Sequence, residues 1–306
     1  MRGMLATMKS AALIVNPFAS AVTEERLAAV EATLGESFAL TVALTEHRAH
    51  AIELAAGLTD LDAVFVFGGD GLLNEVLNGV GRDAVVGVLP GGRTNVVVRA
   101  LGVPLDPVEA ARALSSAPPP QRISLGKANG RRFAFAAGVG FDAELVRRVD
   151  ELGRRSDGRR PGDLAFTWEA VKLLAGRRGR YEPAVEIAGH GRAAFVLVAN
   201  TDPYSYAGGR PLHIAPEARF ELGLDLVAPR RIGPAAIPRL LRFILRGEGQ
   251  QNAEDVVYLH DMDRVELRCD EPLPLQVDGE DLGDADVVVF EAERDAVSIL
   301  VPEGRR

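Results

Sequence analysis

The sequence predicts an α/β domain with a parallel sheet, followed by a second domain rich in β-strands. In the first third of the chain, short apolar runs alternate with amphipathic segments, which is typical of parallel strands covered by helices. Beyond Pro118-Pro119-Pro120 the chain consists mainly of short β-rich runs separated by turn residues. The proline run therefore marks a predicted boundary, with the first domain at 1–120.

Each element of the first domain has a local signal. The run 11–15 is uniformly apolar, as a buried strand requires, and Thr23 is a residue type that commonly precedes a helix. Apolar residues recur with helical spacing over 73–80. The predicted order is strand 11–15, helix 23–34, strand 38–44, helix 47–57, strand 64–67, a helix through 73–80, strand 84–89 and helix 94–101.

The second domain is predicted to be an antiparallel sandwich or barrel, because its strands are short and separated by turns. Two helical segments, 166–174 and 234–245, interrupt the strands. The predicted strands are 132–137, 184–187, 193–199, 256–259, 264–268, 273–277, 287–291 and 297–301.

Composition excludes several classes of protein. The chain has 306 residues, of which 47% are hydrophobic, so it can bury a substantial core. Cys269 is the only cysteine, which excludes an intramolecular disulfide and fits the cytoplasm. No stretch approaches the ~20 apolar residues that a membrane span needs, so any membrane contact is expected to be peripheral. The net charge of −8 argues against a general nucleic-acid binder.

A glycine-rich junction links the strand at 64–67 to the helix that follows it. Gly68, Gly69 and Gly71 surround Asp70, and glycine permits positive φ and a close approach of the backbone to a ligand. The N–H groups at a helix start favour an anion such as phosphate. Asp70 would repel bare phosphate, so its presence favours a metal–nucleotide complex or the handling of a hydroxyl proton. An ordinary tight turn is the alternative.

A second glycine loop, 90–95 (Pro-Gly-Gly-Arg-Thr-Asn), again lies between a predicted strand and a predicted helix. Two such loops at neighbouring strand ends could flank one nucleotide. Arg93 and Arg99 could contact phosphate oxygens, and Asn95 could contact a hydroxyl or an amide. Pro-Gly-Gly is also common in loops that bind nothing, so both interpretations stay open.

Two further segments place carboxylates at glycine turns. The segment 138–142 (Gly-Val-Gly-Phe-Asp) lacks the acidic residue at a second strand end that a dinucleotide fingerprint requires, so we reject that interpretation. Asp142 is either a helix cap or a functional carboxylate. The turn 278–281 (Asp-Gly-Glu-Asp) is either an ordinary hairpin turn or an acidic cluster that recruits Mg²⁺ or supplies a general base.

The segment 238–246 combines arginine with apolar residues at helical spacing. Arg239, Arg242 and Arg246 share one stripe of this predicted helix. Such a helix can lie on an anionic membrane, or it can pack on a core with a solvated arginine edge. The spacing leaves both interpretations open.

Several of these motifs occur in the order typical of one family. The order resembles the diacylglycerol kinase catalytic-domain superfamily of lipid kinases, which includes bacterial diacylglycerol kinases, YegS-like proteins and sphingosine kinases. The resemblance spans nearly the whole chain. The matching segments are 14–17 (Ile-Val-Asn-Pro), 68–71 with Asn74-Glu75 and Asn78-Gly79, 89–92 with Asn95, Arg99 and Leu101-Gly102, 138–142, and 277–280 (Val-Asp-Gly-Glu).

The resemblance implies an ATP-dependent kinase that transfers the γ-phosphate to a lipid hydroxyl, as in diacylglycerol. It implies an α/β ATP-binding domain at 1–120, a β-sandwich domain for the lipid at 121–290, a segment 291–306 that returns to the first domain, and an active site in the cleft between the domains. ATP and Mg²⁺ are the implied cofactors. The implied partner is a lipid at a membrane surface, the implied location is the cytoplasm or the inner face of the membrane, and a homodimer is left open.

The resemblance also assigns roles to residues. Asp278 is the candidate base, with Glu280 and Asp70 in the catalytic group, while Asp142 and Glu280 are the candidate metal ligands and Arg99 contacts phosphate or a lipid head group. The implied nucleotide-binding residues are Asn16, Gly68, Gly69, Asp70, Gly71, Asn74, Glu75, Gly91, Gly92, Arg93 and Asn95.

This chain departs from the family at three places. Leu72 and Arg93 stand where the family usually has hydroxyl residues that contact phosphate. Around Glu221 and Leu222 the chain lacks an acidic pair that holds a structural Mg²⁺ in some members. Two alternatives therefore accompany the lipid kinase: a nucleotide- or lipid-binding pseudokinase, and a soluble-metabolite kinase related to NAD kinases.

Overall fold

The computed structural model describes residues 8–152, 169, 172–173, 176 and 178–303. These residues divide into two compact units, which we call the first and the second unit. The first unit consists of Met1–Ile123 and Asp295–Arg306, and the second of Ser124–Arg294. The helix predicted at 166–174 lies outside the described residues, apart from three isolated positions.

The elements of the first unit alternate between strand and helix, as the sequence predicts. They are β1 (Lys9–Val15), α1 (Glu24–Gly35), β2 (Phe38–Leu44), α2 (His50–Ala56), β3 (Ala63–Gly68), α3 (Asp70–Gly79), β4 (Val85–Pro90), α4 (Val96–Ala100) and α5 (Pro107–Ser115).

The described elements of the second unit are mainly strands. They are β5 (Gln121–Ala128), β6 (Arg131–Phe133), β7 (Ala136–Val139), α6 (Phe141–Glu151), β8 (Val185–Ile187), β9 (Gly191–Ala193), β10 (Val196–Ala199), β11 (Ser205–Ala207), β12 (Arg210–Leu212), β13 (Leu224–Pro229), α7 (Ile237–Arg246), β14 (Val256–Met262), β15 (Arg264–Val277) and β16 (Glu280–Ile299). The first residues of β5 and the last residues of β16 belong to the first unit.

The strands of the first unit form a parallel sheet in the order β2-β1-β3-β4. The last residues of β16 pair in parallel with β4, where Ser298 lies opposite Val85. The chain after β1 moves outward to β2 and then returns to β3 on the other side of β1. In open parallel sheets, ligands bind at the carboxyl ends of the strands where this order reverses. The loops after β1 and β3 are therefore the predicted ligand loops.

Helix boundaries in the first unit follow their capping groups. The Thr23 hydroxyl accepts a hydrogen bond from the Arg26 N–H (3.2 Å), so α1 begins where the sequence predicts. α2 begins later than predicted, because Ala49 has a φ of 66° and cannot continue a helix backward. α4 is shorter than predicted because Asn95, with a φ of 50°, precedes it in a left-handed conformation.

The second unit is built around two long strands. β15 pairs with β8 through Leu267–Cys269 and with β7 through Leu275–Val277, and its register shifts between these stretches. A strand that shifts register in this way can contribute to two sheets. The core includes the fully buried rings of Phe133 and Phe290, which meet edge to face. The predicted fold class, an α/β domain and a β-sandwich, is confirmed.

Three differences from the sequence prediction have local causes. β15 and β16 were each predicted as two short strands, because polar and proline residues interrupt their apolar runs. α5 was missed although Asp106 caps it and proline occupies its first turn. β13 was missed because Asp225 lies within it; this carboxylate is fully buried and accepts hydrogen bonds from Tyr258 and from the backbone N–H of Asp261.

Within the part of the chain that the structure describes, no helix has the length and apolar character needed to cross a membrane.

We expect Gly79→Ala to destabilise the protein. A Cβ at position 79 would lie 2.4 Å from the Ile52 carbonyl oxygen and 2.8 Å from Ala55 Cβ, both in α2. Overpacking of this kind costs about 1–3 kcal/mol of unfolding free energy, measurable by urea denaturation. Gly81→Ala is the matched control, because its Cβ would meet nothing within 4 Å. Equal stability of the two variants would contradict the close packing of α2 on α3.

Candidate active site

Three loops meet at the carboxyl edge of the parallel sheet in the first unit. The Asn16 N–H donates to the carbonyl of Phe67 at the end of β3 (3.1 Å). The Ala21 N–H donates to the Gly91 carbonyl (2.9 Å), and the Gly91 N–H donates to the Gly68 carbonyl (2.7 Å). The structure therefore brings together the loop after β1 and the two glycine loops.

The two glycine loops pack against each other with no room for side chains. A Cβ at Gly91 would lie 2.6 Å from Gly68 Cα, and a Cβ at Gly92 would lie 2.6 Å from Gly69 Cα. None of the five glycines at 68, 69, 71, 91 and 92 has positive φ. The conformational freedom of glycine is therefore not used here; four of these glycines instead allow the loops or their packing neighbours to approach closely.

Asp70 connects the same two loops through its carboxylate. Oδ2 accepts a hydrogen bond from the Val96 N–H (3.1 Å) and Oδ1 accepts one from the Val97 N–H (3.3 Å) at the start of α4. Burial raises the pKa of Asp70, and these backbone N–H groups act in the opposite sense. The hydrogen bonds to the N-terminus of α4 are therefore sufficient to explain why this glycine loop contains an acid.

Asn95 and Arg99 hold the second loop in shape. The Asn95 side chain accepts a hydrogen bond from the Gly92 N–H (2.9 Å) and donates one to the Gly92 carbonyl (2.8 Å). Arg99 Nε donates to the Thr94 carbonyl (2.9 Å). Both residues were predicted to contact a ligand, and the structure shows them bonded to their own loop.

Two groups of these loops face outward. A Cβ at Gly71 would meet nothing within 4 Å, so the space beside this residue at the start of α3 is open. Arg93 is exposed and forms no ion pair with any described residue. The Leu72 side chain does not face outward. It is buried, and its Cδ2 would lie 2.6 Å from a Cβ added at Gly68.

Three other predicted nucleotide residues are engaged within the fold. Asn16 Oδ1 accepts a hydrogen bond from the Phe18 N–H (3.0 Å). Asn74 is buried, and its side chain and carbonyl accept hydrogen bonds from Asn78. Glu75 accepts hydrogen bonds from the N–H groups of Ala49 (3.0 Å) and Ala51 (3.3 Å), so it caps α2. A nucleotide role for these residues stays a prediction.

Asp278 lies in a tight turn between β15 and β16 of the second unit. Its Oδ2 accepts a hydrogen bond from the Ala134 N–H (2.6 Å), and its Oδ1 accepts two, from Phe135 (3.0 Å) and Ala136 (3.1 Å). The residue is buried and has a φ of 47°. Its role as the base stays a prediction.

A polar network supports this turn. Gln276 accepts a hydrogen bond from the Gly279 N–H (2.9 Å) and donates to Asp142 (2.6 Å), and Tyr204 donates to the same Asp142 oxygen (2.7 Å). Burial raises the pKa of Asp142, and the bonds from Tyr204 and Gln276 act in the opposite sense. The network joins the start of α6 to the acidic turn. The sequence analysis missed Tyr204 and Gln276, because no local pattern marks either one.

The remaining acids of the turn form ion pairs. Glu280 pairs with Arg131 (3.3 Å), and Asp281 pairs with Arg147 (2.8 Å). Among the described residues, no group of three or more histidine, cysteine, aspartate or glutamate side chains is arranged to hold a metal ion. The assignment of Asp142 and Glu280 as metal ligands stays a prediction.

Close to Glu221 in the chain, the Gly223 backbone is hydrogen-bonded to a carboxylate that also binds Arg294. Arg294 donates to Asp261 (2.8 Å) and to Asp263 (2.6 Å), and Asp261 also accepts the Gly223 N–H (2.7 Å). These bonds hold the pKa of Asp261 below its usual value. The carboxylates near Gly223 are thus neutralised by an arginine side chain.

The second unit also contains an apolar cavity of about 130 Å³. Its wall includes residues of α7 and aromatic side chains such as Phe141 and Phe195. His213 and Gln250 are the polar residues of the wall. His213 Nδ1 lies 2.7 Å from Asp202, and Gln250 Nε2 donates to the His213 and Ile214 carbonyls, while Gln250 Oε1 is buried with no partner among the described residues. The cavity therefore suits an apolar group.

Comparison with known families covers both parts of the chain. Residues 10–128 match the model of the diacylglycerol kinase catalytic domain. Residues 136–301 match the model of the YegS C-terminal NAD kinase beta sandwich-like domain.

Individual relatives agree with these matches. A diacylglycerol kinase of Bacillus subtilis is 31% identical over 238 residues, which cover 76% of this chain and 75% of that protein. A Pseudomonas fluorescens protein named "Probable lipid kinase YegS-like" is 27% identical over 303 residues, which cover 95% of each chain. The crystal structure of a diacylglycerol kinase from Bacillus anthracis has a TM-score of 0.70 at 20% identity, covering 97% of this chain and 98% of that one.

The fold and the loops define the class, an α/β domain with paired glycine loops joined to a β-sandwich. The chain belongs to the diacylglycerol kinase catalytic-domain superfamily of lipid kinases. Membership of a kinase family implies the use of ATP.

We expect Asp278→Asn to lower the unfolding free energy. An amide presents one oxygen where the carboxylate presents two, so at least one buried N–H at 134–136 would lose its acceptor. A hydrogen bond to a charged group contributes about 1.5–3 kcal/mol, and urea denaturation measures the loss. Asp284→Asn is the control, since this half-exposed carboxylate pairs only with Arg147 among the described residues. Unchanged stability of the position 278 variant would show that Asp278 does not support the turn.

Proposed function

We propose that this protein is an ATP-dependent lipid kinase that transfers the γ-phosphate of ATP to the hydroxyl of a lipid such as diacylglycerol. Family membership supports the kinase class. The observation that favours a lipid acceptor is the apolar cavity of the second unit, whose wall residues are apolar except for His213 and Gln250. A soluble metabolite such as NAD would need more polar partners than these two residues supply.

The first unit supports the nucleotide part of the proposal. The start of α3 presents backbone N–H groups and the positive end of the helix dipole beside the open space at Gly71. Arg93 adds an exposed guanidinium, which can contact phosphate through two parallel hydrogen bonds. ATP supplies the phosphoryl group when bound, and these groups would bind its phosphates and stabilise their charge.

The pseudokinase alternative rests on Leu72 and Arg93. Leu72 packs over Gly68, so it does not fill the open space at Gly71, and Arg93 brings a charged donor where the family has a hydroxyl. Both departures therefore leave room for phosphate. The comparisons give no support to the pseudokinase or to a relative of NAD kinases.

The direct test uses purified protein with γ-labelled ATP and diacylglycerol in mixed micelles. We expect the label to appear in phosphatidic acid, because the γ-phosphoryl group leaves the bridging oxygen of ADP and bonds to the lipid hydroxyl oxygen. Parallel reactions offer sphingoid bases, phosphatidylglycerol, polyprenols and NAD. Transfer to NAD alone would contradict a lipid acceptor, and ATP binding without transfer to any acceptor would favour the pseudokinase.

A pair of glycine variants tests the nucleotide loops. Gly71→Ala adds a methyl group to open space, so we expect its unfolding free energy to change by less than about 0.5 kcal/mol. Its affinity for ATP, measured by calorimetry, should fall by about tenfold or more, because the methyl group blocks the close approach of backbone to phosphate.

Gly91→Ala is the contrasting variant. Its Cβ would collide with the backbone of Gly68, so it should lose about 1–3 kcal/mol of unfolding free energy. If Gly71→Ala binds ATP as tightly as the original protein does, the phosphates do not lie at the start of α3.

A further inference from the structure

The helix α7 has an outer face of unusual composition for a surface helix. Six of its ten residues are leucine, isoleucine or phenylalanine and three are arginine, yet none of its residues is buried. Leu241 is 50% exposed and Leu245 is 57% exposed. These two residues are four positions apart and therefore lie side by side on the helix. The outer face thus carries a leucine ridge that the described residues leave uncovered.

A second ridge of the same face is cationic. Arg242 and Arg246 are also four positions apart and exposed, and no described residue forms an ion pair with either. Arg239, by contrast, pairs with Asp255 and lies over the Phe243 ring. α7 itself contains no acidic residue. The whole chain has a net charge of −8, so the positive charge of Arg242 and Arg246 is opposite in sign to that of the protein.

The inner face of α7 borders the apolar cavity. Leu240, Phe243 and Ile244 belong to the cavity wall, and Leu241 belongs both to this wall and to the exposed face. The helix is therefore apolar toward the cavity, and its exposed face combines leucines with arginines. Such a pairing of apolar and cationic side chains matches the boundary between acyl chains and anionic head groups.

We propose that α7 docks this protein on an anionic membrane, with Leu241 and Leu245 at the acyl boundary and Arg242 and Arg246 on lipid phosphates. The proposal deepens the proposed function and rests on it, because a lipid substrate resides in such a surface. Docking through α7 places a wall residue of the cavity, Leu241, directly against the bilayer.

The test measures co-sedimentation of the purified protein with vesicles. We expect binding to vesicles of phosphatidylglycerol and phosphatidylcholine in equal parts, and much weaker binding to phosphatidylcholine alone. The double variant Arg242→Gln/Arg246→Gln should bind the anionic vesicles roughly twenty-five-fold more weakly, since each basic side chain near an anionic surface contributes a factor of roughly five. Leu245→Ser should weaken binding to both kinds of vesicle.

The matched control is Arg264→Gln/Arg268→Gln. This variant also loses two positive charges, but from exposed positions of β15, where both arginines contact Glu266. This control should bind anionic vesicles as the original protein does. Equal loss of binding in the control and in the α7 double variant would overturn the proposal, because net charge rather than α7 would then govern binding.

Two further measurements separate docking from its alternatives. Transfer to a short-chain, water-soluble diacylglycerol should be unchanged in Arg242→Gln/Arg246→Gln, because this substrate needs no membrane. No transfer by any of the proteins, together with the expected vesicle results, would reject the proposed function and leave docking standing. If light scattering shows a dimer that Leu245→Ser dissociates, while vesicle binding is unaffected, the leucine ridge pairs two copies and docking is overturned.

Discussion

The close packing of two glycine loops is the constraint on which the first unit's candidate site depends. Gly91 and Gly92 lie so close to the backbone of Gly68 and Gly69 that neither could carry a side chain. Two interactions stabilise this contact. One is the hydrogen bond from the Gly91 N–H to the Gly68 carbonyl, and the other is the Asp70 carboxylate, which accepts hydrogen bonds from the start of α4. As a result, β3 and β4 end side by side, and hydrogen bonds join the start of α3 to the start of α4. Gly71, by contrast, borders open space.

Carboxylates that satisfy backbone N–H groups recur throughout both units. Asp70 caps α4, Glu75 caps α2, and Asp278 accepts three N–H groups at 134–136. Each of these acids belongs to a motif that would ordinarily be interpreted as ligand chemistry. A buried N–H without an acceptor is costly, so these residues are explained by the fold before any substrate is considered. In the two glycine loops, Gly71 borders open space and Arg93 is exposed.

The second unit contains an apolar cavity, and this cavity is the observation on which the proposed lipid acceptor rests. The long strand β15 shifts register along its pairing with β16, and residues of α7 line the cavity. One face of the helix forms part of the cavity wall, and its other face exposes the leucine and arginine ridges. A single helix thereby links the space that could accept an acyl chain with the surface that could meet the membrane.

The sequence by itself determined the class of fold, the family and the position of the glycine loops, since these depend on periodicity and on short motifs that residues carry locally. It could not determine what each motif residue contacts. Asp278 and Ala134 are far apart in the chain, as are Tyr204 and Asp142, and their hydrogen bonds exist only because the strands between them fold back. The sequence likewise placed arginines and leucines on α7, but only tertiary packing decided which of them stay exposed. The physical reason is the same in each case: local patterns specify elements, whereas burial and hydrogen-bond partners depend on which distant segments pack together.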